Sequence, residues 1–365
     1  MQNTSLLTNR IGQDQSQLIK VARVVCIIFM MTTHIWPGSD RILAASQPFA
    51  IEAFFVLVVD SLGRASVPLL SLISGLLIVH SFDRRHAIAV MKTKPATLLV
   101  PMIVWSIPVV LLLFVEQRVR GETGLAPDTL MEWLNSFFAL TASPANGPLH
   151  FLREIFIMSC YAWLVLTIYR RSPKISYLVM FGIFLLEQMP SGFLLFRNQI
   201  ATFYLVGMAL ALAGQARWTP GWPLVLSLLA FFIITSLFDL PTQTKDNFFA
   251  FRFFEHVPRI AMSLLMWRLA YELVMRNSRI TGWLSWLEPH IFTIFCSHAI
   301  TIKFFGGVAH VLKWSESDPW YILIFLVQIP ICLIVGIIAS KILTPLPWLR
   351  GKMTREKKAY PSGAI

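Results

Sequence analysis

Residues 18–36 read LIKVARVVCIIFMMTTHIW, an apolar run that also carries an arginine, Arg23, and a histidine, His34. A helix that spans a bilayer needs about 20 mainly apolar residues. Eleven helical steps of about 100° complete three turns plus about 20°, so the two side chains project from nearly one face, about 16 Å apart along the axis. The segment therefore predicts a membrane helix with one polar stripe, here called the Arg23–His34 stripe.

The composition of the whole chain points to lipid as its main solvent. Of its 365 residues, 56% are hydrophobic and only 14% are charged, and the mean hydropathy is +0.65. So few charged side chains cannot cover a water-facing surface of that size, which excludes the soluble globular, disordered and collagen-like classes. All four cysteines lie inside apolar stretches, which is typical of thiols that pack in a core rather than form a disulfide framework.

Ten apolar segments are candidates for membrane helices. They are residues 18–36, 66–80, 98–115, 151–169, 175–189, 200–213, 223–238, 257–275, 291–308 and 320–342. A further apolar stretch, residues 48–62, contains Glu52 and Asp60 and is another span, a re-entrant piece or an interfacial helix. We therefore expect an all-α, polytopic integral membrane bundle of about ten transmembrane helices.

The net charge of +12 comes from clusters of Lys and Arg between the apolar segments rather than from one basic face, so it does not indicate nucleic-acid binding. With ten spans these clusters all fall on one side of the bilayer, which the positive-inside rule makes cytoplasmic, as are then both termini. We expect residues 1–16 to be a cytoplasmic segment without a removable signal peptide, residues 17–345 to be the transmembrane domain, and residues 346–365 to be a basic cytoplasmic tail.

Several ionisable residues lie where lipid is expected. A charge near the bilayer centre costs roughly 2.5–3.5 kcal/mol, so such groups face protein or water and are candidate functional groups. Arg64 opens the second predicted span, and Arg153 and Glu154 open the fourth, at the same outer level as His34. A structural explanation also exists for each: Arg23 can extend to the inner headgroups, His34 can sit at the outer interface, and Arg153 and Glu154 can form a local ion network. The residues alone leave this choice open.

Histidines recur in or near the apolar segments at His150, His290 and His298, where an imidazole can carry a proton near neutral pH. Their spacing does not match that of zinc ligands, and no metal site is predicted. The sequence also lacks a Gly-x-Ser-x-Gly elbow, a Walker loop and a dinucleotide fingerprint. The residues therefore favour either acid–base chemistry inside the membrane or the transport of a polar solute.

A set of short motifs follows in a fixed order along most of the chain. They are Arg23 and His34 with ten residues between them, Arg64-x-x-x-Pro68 leading to Ile73-Ser74-Gly75, PLHFLR at residues 148–153, Phe203-x-x-x-Gly207 and Ile294-x-x-x-His298. This order and spacing, over residues 18–308, resembles that of the family-3 membrane acyltransferases. The chain departs from the family pattern at His150, where a tryptophan is common, and at Ser297 and His298, where an aromatic-leucine-histidine sequence is common.

The resemblance implies a function. Such proteins move an acyl group, usually acetyl and in some branches succinyl, from cytoplasmic acyl-coenzyme A to hydroxyls of cell-envelope or exported carbohydrates. It thus implies a multi-pass enzyme of the inner cell membrane with no bound cofactor and no nucleic-acid partner. The donor would be acyl-coenzyme A, and the acceptor would be a carbohydrate, either finished outside the cell or still lipid-linked before export. The alternative reading is a carbohydrate transporter or flippase, which also has about ten spans and buried ionisable residues.

The resemblance also implies site roles for the residues singled out above. His34 would act as the base that takes a proton from a sugar hydroxyl. Arg64 or Arg153 would stabilise the oxyanion that forms from the thioester carbonyl, and Glu154 is a further candidate catalytic residue. Arg23 would bind the phosphates of coenzyme A, a task that suits a permanently charged forked donor. Two further arginines, Arg84 and Arg85, would help it. The roles of Arg23 and Arg64 are interchangeable at this stage.

Overall fold

The computed structural model describes residues 12–35, 59, 61–84, 87–189, 194–237, 248–314 and 321–350, and all of their regular structure is helical. The α-helices are α1 (Gln13–Thr32), α2 (Arg64–Arg84), α3 (Ala87–Lys94), α4 (Val100–Arg120), α5 (Leu130–Phe138), α6 (His150–Tyr169), α7 (Pro173–Glu187), α8 (Asn198–Leu212), α9 (Trp222–Leu237), α10 (Phe248–Met275), α11 (Arg279–Leu287), α12 (Ile291–Val311) and α13 (Tyr321–Ile342). A π-helical turn, Pro95–Leu99, joins α3 to α4, and a 3-10 turn, Glu288–His290, joins α11 to α12.

Each of the ten predicted spans overlaps one of these helices. Within the described ranges, six helical stretches are long and apolar enough to cross a bilayer, namely Gln13–Thr32, Ser61–Asp83, Ala87–Arg120, Gly147–Tyr169, Arg279–Val311 and Leu323–Ile342, while Asn198–Leu212 and Trp222–Thr235 are shorter apolar helices. The protein is thus a multi-pass membrane protein. The third predicted span belongs to a longer helical stretch that starts at Ala87. Most of residues 48–62 lies outside the described residues.

Helix α7 shows how lipid replaces water as the solvent of this bundle. Its exposed face carries Ile175, Leu178, Phe181 and Leu185, and Leu178 is 69% exposed. Its buried residues include Ser176 and Glu187, both with no exposed surface. This is the reverse of a water-soluble amphipathic helix, since the polar groups face the protein and the apolar ones face outward.

Helix α1 occupies an interior position in the bundle. It contacts α2, α10, α11 and α12, and Val21, Val24 and Met31 have no exposed surface. Surrounded in this way, the helix has little contact with lipid, so its polar side chains must find partners within the protein.

Helices α2 and α8 cross in close backbone contact. A Cβ atom on Gly75 would collide with the backbone carbonyl of Tyr204, and one on Gly207 would collide with that of Leu72. Each glycine thus makes room for the backbone of the other helix. Small residues in a membrane helix permit such an approach, so the close packing at Gly75 and Gly207 follows from the residue type.

We expect Gly75→Ala and Gly207→Ala to destabilise the protein, because overpacking a tight contact typically costs about 1–3 kcal/mol. The matched control is Gly182→Ala in α7, where an added Cβ meets nothing within 4 Å. That change should be neutral or slightly stabilising, since alanine favours a helix. The measurement is the thermal midpoint of the detergent-solubilised protein, and equal midpoints for all three variants would contradict the close crossing.

Candidate active site

Two contacts align the Arg23–His34 stripe with the segment that opens α12. At one end, Arg23 Nη1 lies 3.5 Å from Glu288 Oε1. At the other, the rings of His34 and His298 are 5.7 Å apart, centroid to centroid. The contacts are eleven residues apart on one segment and ten on the other, in the same order, so the two run parallel. The stripe therefore faces protein rather than lipid.

A cavity of about 700 Å³ opens beside the Arg23 end of the stripe. Its wall combines the first turns of α1 with Ser285, Glu288 and Pro289. Two cations, Lys20 and Arg23, and one carboxylate, Glu288, line it, and the Arg23 side chain is 35% exposed. An anionic ligand that enters this cavity therefore meets a net positive wall.

Lys20 was not singled out from the sequence as a binding residue. It precedes Arg23 by three residues, and residues three apart are neighbours on a helix surface. This spacing is the sequence signal that points to Lys20. Of the predicted helpers of Arg23, Arg85 and the side chain of Arg84 lie outside the described residues.

The His34 end of the stripe is surrounded by cations and imidazoles. His34 lies just beyond the end of α1 and interacts electrostatically with His298, Arg197 and His150. Arg197 in turn interacts with Arg64, and the side chains of both arginines are exposed. The structure thus brings the predicted residues His34 and Arg64 to one neighbourhood. It adds Arg197, which was not predicted from the sequence.

The predicted pair Arg153 and Glu154 holds the chain segment that leads into α8. Glu154 has no exposed surface, and its Oε1 accepts hydrogen bonds from the backbone N–H groups of Phe196, at 2.9 Å, and Arg197, at 3.2 Å. Arg153 donates to the carbonyl oxygen of Leu194, at 2.9 Å, and its guanidinium lies 4.5 Å from the centre of the Phe196 ring. These contacts fix residues 194–197 and thereby place Arg197.

A second buried carboxylate, Glu187, fixes the same segment from α7. It accepts backbone N–H hydrogen bonds from Leu194 and Leu195 and a hydroxyl hydrogen bond from Tyr161 at 2.8 Å. Glu187 is not among the residues predicted from the sequence. A carboxylate within an apolar helix is the signal that points to it, since such a group must find donors inside the protein.

Two histidines near His34 are held in one orientation by backbone carbonyls. His150 Nδ1 lies 2.7 Å from Gly147 O, and His298 Nδ1 lies 2.6 Å from Phe295 O. A carbonyl can only accept, so each Nδ1 carries the proton and the neutral ring presents a lone pair at Nε2. Within the described part of the chain, no group of three His, Cys, Asp or Glu residues is placed to hold a metal ion.

The connection from α4 to α6 brings a buried amide to the same region. Helix α5 in this connection begins with a capping box between Thr129 and Glu132, whose carboxyl pKa is lowered by hydrogen bonds from the backbone N–H groups of Asp128 and Thr129.

The buried amide in this connection belongs to Asn146, which has no exposed surface. Its Nδ2 donates to the carbonyl oxygens of Trp105, at 3.1 Å, and Cys296, at 3.0 Å. The loop is therefore tied to the interior of the bundle just before His150.

We expect Glu154→Leu to release residues 194–197, because it leaves two backbone N–H groups without an acceptor, at about 1–3 kcal/mol for each unsatisfied group. Glu154→Gln keeps a side-chain oxygen and should change little. Hydrogen–deuterium exchange of the peptide that contains residues 194–197 measures the effect. Unchanged exchange in the leucine variant would show that the carboxylate does not hold this segment.

Comparisons with known proteins show the family to which the chain belongs. A family model described as an acyltransferase domain matches residues 17–343. The succinoglycan biosynthesis protein ExoH of Rhizobium meliloti (strain 1021) is 32% identical over 152 residues, which make up 40% of this chain and 40% of that protein. No solved structure matches the chain. Because the family model covers most of the sequence, from the first turns of α1 to the end of α13, this protein belongs to the acyltransferase-3 family.

Proposed function

We propose that this protein is an O-acyltransferase of the inner cell membrane that moves an acyl group from acyl-coenzyme A to a hydroxyl of a cell-envelope or exported polysaccharide. Acetyl is the first donor group to test and succinyl the second. The observation that carries the proposal is the Arg23–His34 stripe, which faces Glu288 and His298 inside the bundle and has a cavity at its Arg23 end. The similarity to a succinoglycan biosynthesis protein supports a polysaccharide acceptor.

The cavity at the Arg23 end is the proposed donor site. Coenzyme A carries several phosphate charges, and Lys20 and Arg23 offer an ammonium and a guanidinium to them. Glu288 contacts Arg23 in the structure, and phosphate oxygens would replace that carboxylate as the partner of the guanidinium. Arg84 and Arg85 remain proposed helpers at this end.

The acyl thioester must then reach His34, about 16 Å along α1 from Arg23. The pantetheine arm of coenzyme A is long and thin enough for a path between helices. In the structure the α1 side chains Ile27 and Met30, at 6% and 3% exposure, fill the interior between the two ends. The arm therefore has to displace them, and a methionine adapts readily because it is unbranched and flexible.

At the His34 end the reaction is attack of an alcohol on a thioester. His34 takes the hydroxyl proton while the oxygen bonds to the carbonyl carbon, which forms a tetrahedral oxyanion. Arg64, with Arg197 beside it, would stabilise that negative charge. Collapse of the intermediate breaks the carbon–sulfur bond, and the departing thiolate receives the proton from the His34 imidazolium. Arg153 and Glu154 act on this step by placing Arg197.

The decisive experiment incubates the purified protein with labelled acetyl-coenzyme A or succinyl-coenzyme A. The acceptor is polysaccharide from a strain that lacks the protein, cut into single repeat units. We expect free coenzyme A and labelled carbohydrate with one of the two donors. A transporter or flippase would move carbohydrate without releasing coenzyme A.

Replacing the proposed base tests the chemistry directly. We expect His34→Ala to lower the turnover rate by about 10²–10⁴-fold, the usual contribution of a general base. The control is His310→Ala, since His310 is an exposed histidine in the last turn of α12. Turnover and protein yield are measured together, and normal turnover in a well-folded His34→Ala protein would reject the assignment.

Replacing the proposed phosphate ligand tests the donor site. We expect Arg23→Gln to raise the KM for acyl-coenzyme A by about tenfold or more, because a charge-assisted hydrogen bond contributes about 1.5–3 kcal/mol. Arg118→Gln, a change at an exposed arginine near the end of α4, should leave that KM unchanged. A variant whose KM is normal but whose turnover is abolished would instead place Arg23 in the chemical step.

A further inference from the structure

The neighbourhood of His34 contains buried hydrogen-bond acceptors that the protein does not satisfy. Within the described residues, Asn146 Oδ1, His150 Nε2 and His298 Nε2 have no hydrogen-bond partner. The three residues are 0%, 6% and 0% exposed. Buried polar atoms are nearly always paired in folded proteins, so a cluster of unpaired ones calls for a ligand or water that pairs them.

Each of these three atoms is an acceptor and not a donor. The Nδ1 atoms of His150 and His298 donate to Gly147 O and Phe295 O, which leaves a lone pair at Nε2 of the neutral ring. The amide of Asn146 is oriented by its Nδ2, which donates to two carbonyl oxygens, so its Oδ1 faces the other way. The missing partners must therefore be donors.

The three acceptors belong to one region of the bundle. Asn146 is hydrogen-bonded to the backbone of Cys296, two residues before His298. His150 follows Asn146 by four residues and interacts electrostatically with His34, whose ring lies 5.7 Å from that of His298. Glu154, one turn after His150 on the same face of α6, adds a further buried oxygen, Oε2, without a partner in the described structure.

The chemistry of this cluster selects one class of ligand. A phosphate or carboxylate group offers only acceptor oxygens when ionised and cannot satisfy acceptors. A thioester carbonyl offers no donor either, and the pantetheine arm that carries it has only two amide N–H groups and one hydroxyl, spread along its length. A sugar ring carries several hydroxyl groups, each of which donates one hydrogen bond, and so it matches a wall of neutral imidazole and amide acceptors.

We propose that Asn146, His150 and His298 form the binding site for the carbohydrate acceptor and hold its hydroxyl groups beside His34. This inference rests on the proposed acyl transfer and adds the position and the polarity of the acceptor site. It separates the two substrates in space, with the donor's phosphates at the Arg23 end and the sugar at the His34 end. His150 and His298 are specificity-determining residues in this arrangement.

The test is the kinetics of three variants with the single-repeat oligosaccharide as the acceptor. His150→Phe removes the acceptor atom and should raise the KM for the oligosaccharide by about tenfold, while the KM for acyl-coenzyme A stays unchanged. His150→Gln restores a polar side chain and should recover part of the affinity. His80→Phe is the matched control, because His80 is also buried, with Nδ1 3.0 Å from Leu76 O and an unpaired Nε2, but lies near the opposite end of α2 from Arg64.

A second measurement needs no variant. An O-methylated form of the same oligosaccharide has lost both its hydrogen-bond donors and its nucleophilic hydroxyls, so it cannot be acylated; as a competitor of the unmethylated oligosaccharide it should inhibit the unaltered protein with an inhibition constant at least about tenfold above the oligosaccharide KM. An unchanged oligosaccharide KM in His150→Phe, or a rise in the KM for acyl-coenzyme A instead, would overturn the acceptor site while leaving acyl transfer intact. Absence of both coenzyme A release and labelled product with the unaltered protein would overturn the proposed function itself.

Discussion

The exclusion of water from the interior of the bundle is the constraint on which the rest of this structure depends. Within lipid a polar side chain must find its partners inside the protein. Arg23 meets this demand through Glu288, and the ring of His34 lies beside that of His298. Both contacts lie on one pair of parallel segments, so the need to pair isolated polar groups also aligns the donor end of the site with its reactive end.

Local pattern was enough to predict much of the fold. Hydropathy identified ten segments that each overlap a helix, and helical periodicity placed Arg23 and His34 on a single face. The close packing at Gly75 follows from the same short-range information, since small residues in a membrane helix permit backbone approach. These features depend on residues that are near one another along the chain.

Other parts of the site could not be predicted, because they depend on contacts between distant residues. Glu288 is 265 positions from Arg23, and no local signal pairs the two. Arg153 and Glu154 suggested an ion network, yet their contacts include hydrogen bonds to the backbone of residues 194–197, about 40 positions away. Nothing in the sequence indicated that Asn146 is buried, since an asparagine in a polar connection is normally solvated. The three-dimensional arrangement alone shows that it is buried and bonded to Cys296.

The crossing of α2 and α8 has a consequence for the charges at their N-terminal ends. Arg64 begins α2 eleven residues before Gly75, and Arg197 precedes Gly207 by ten. The two arginines interact, so both helices begin at the same end of the bundle. Repulsion between two like charges favours separation of the helices that carry them. The close backbone contact at Gly75 and Gly207, about 15 Å away along the helices, holds α2 and α8 together. The distance between the backbone positions of the two arginines is therefore limited not only by the contacts of Arg153 and Glu154 but also by the absence of a side chain at Gly75 and at Gly207, about three helical turns away.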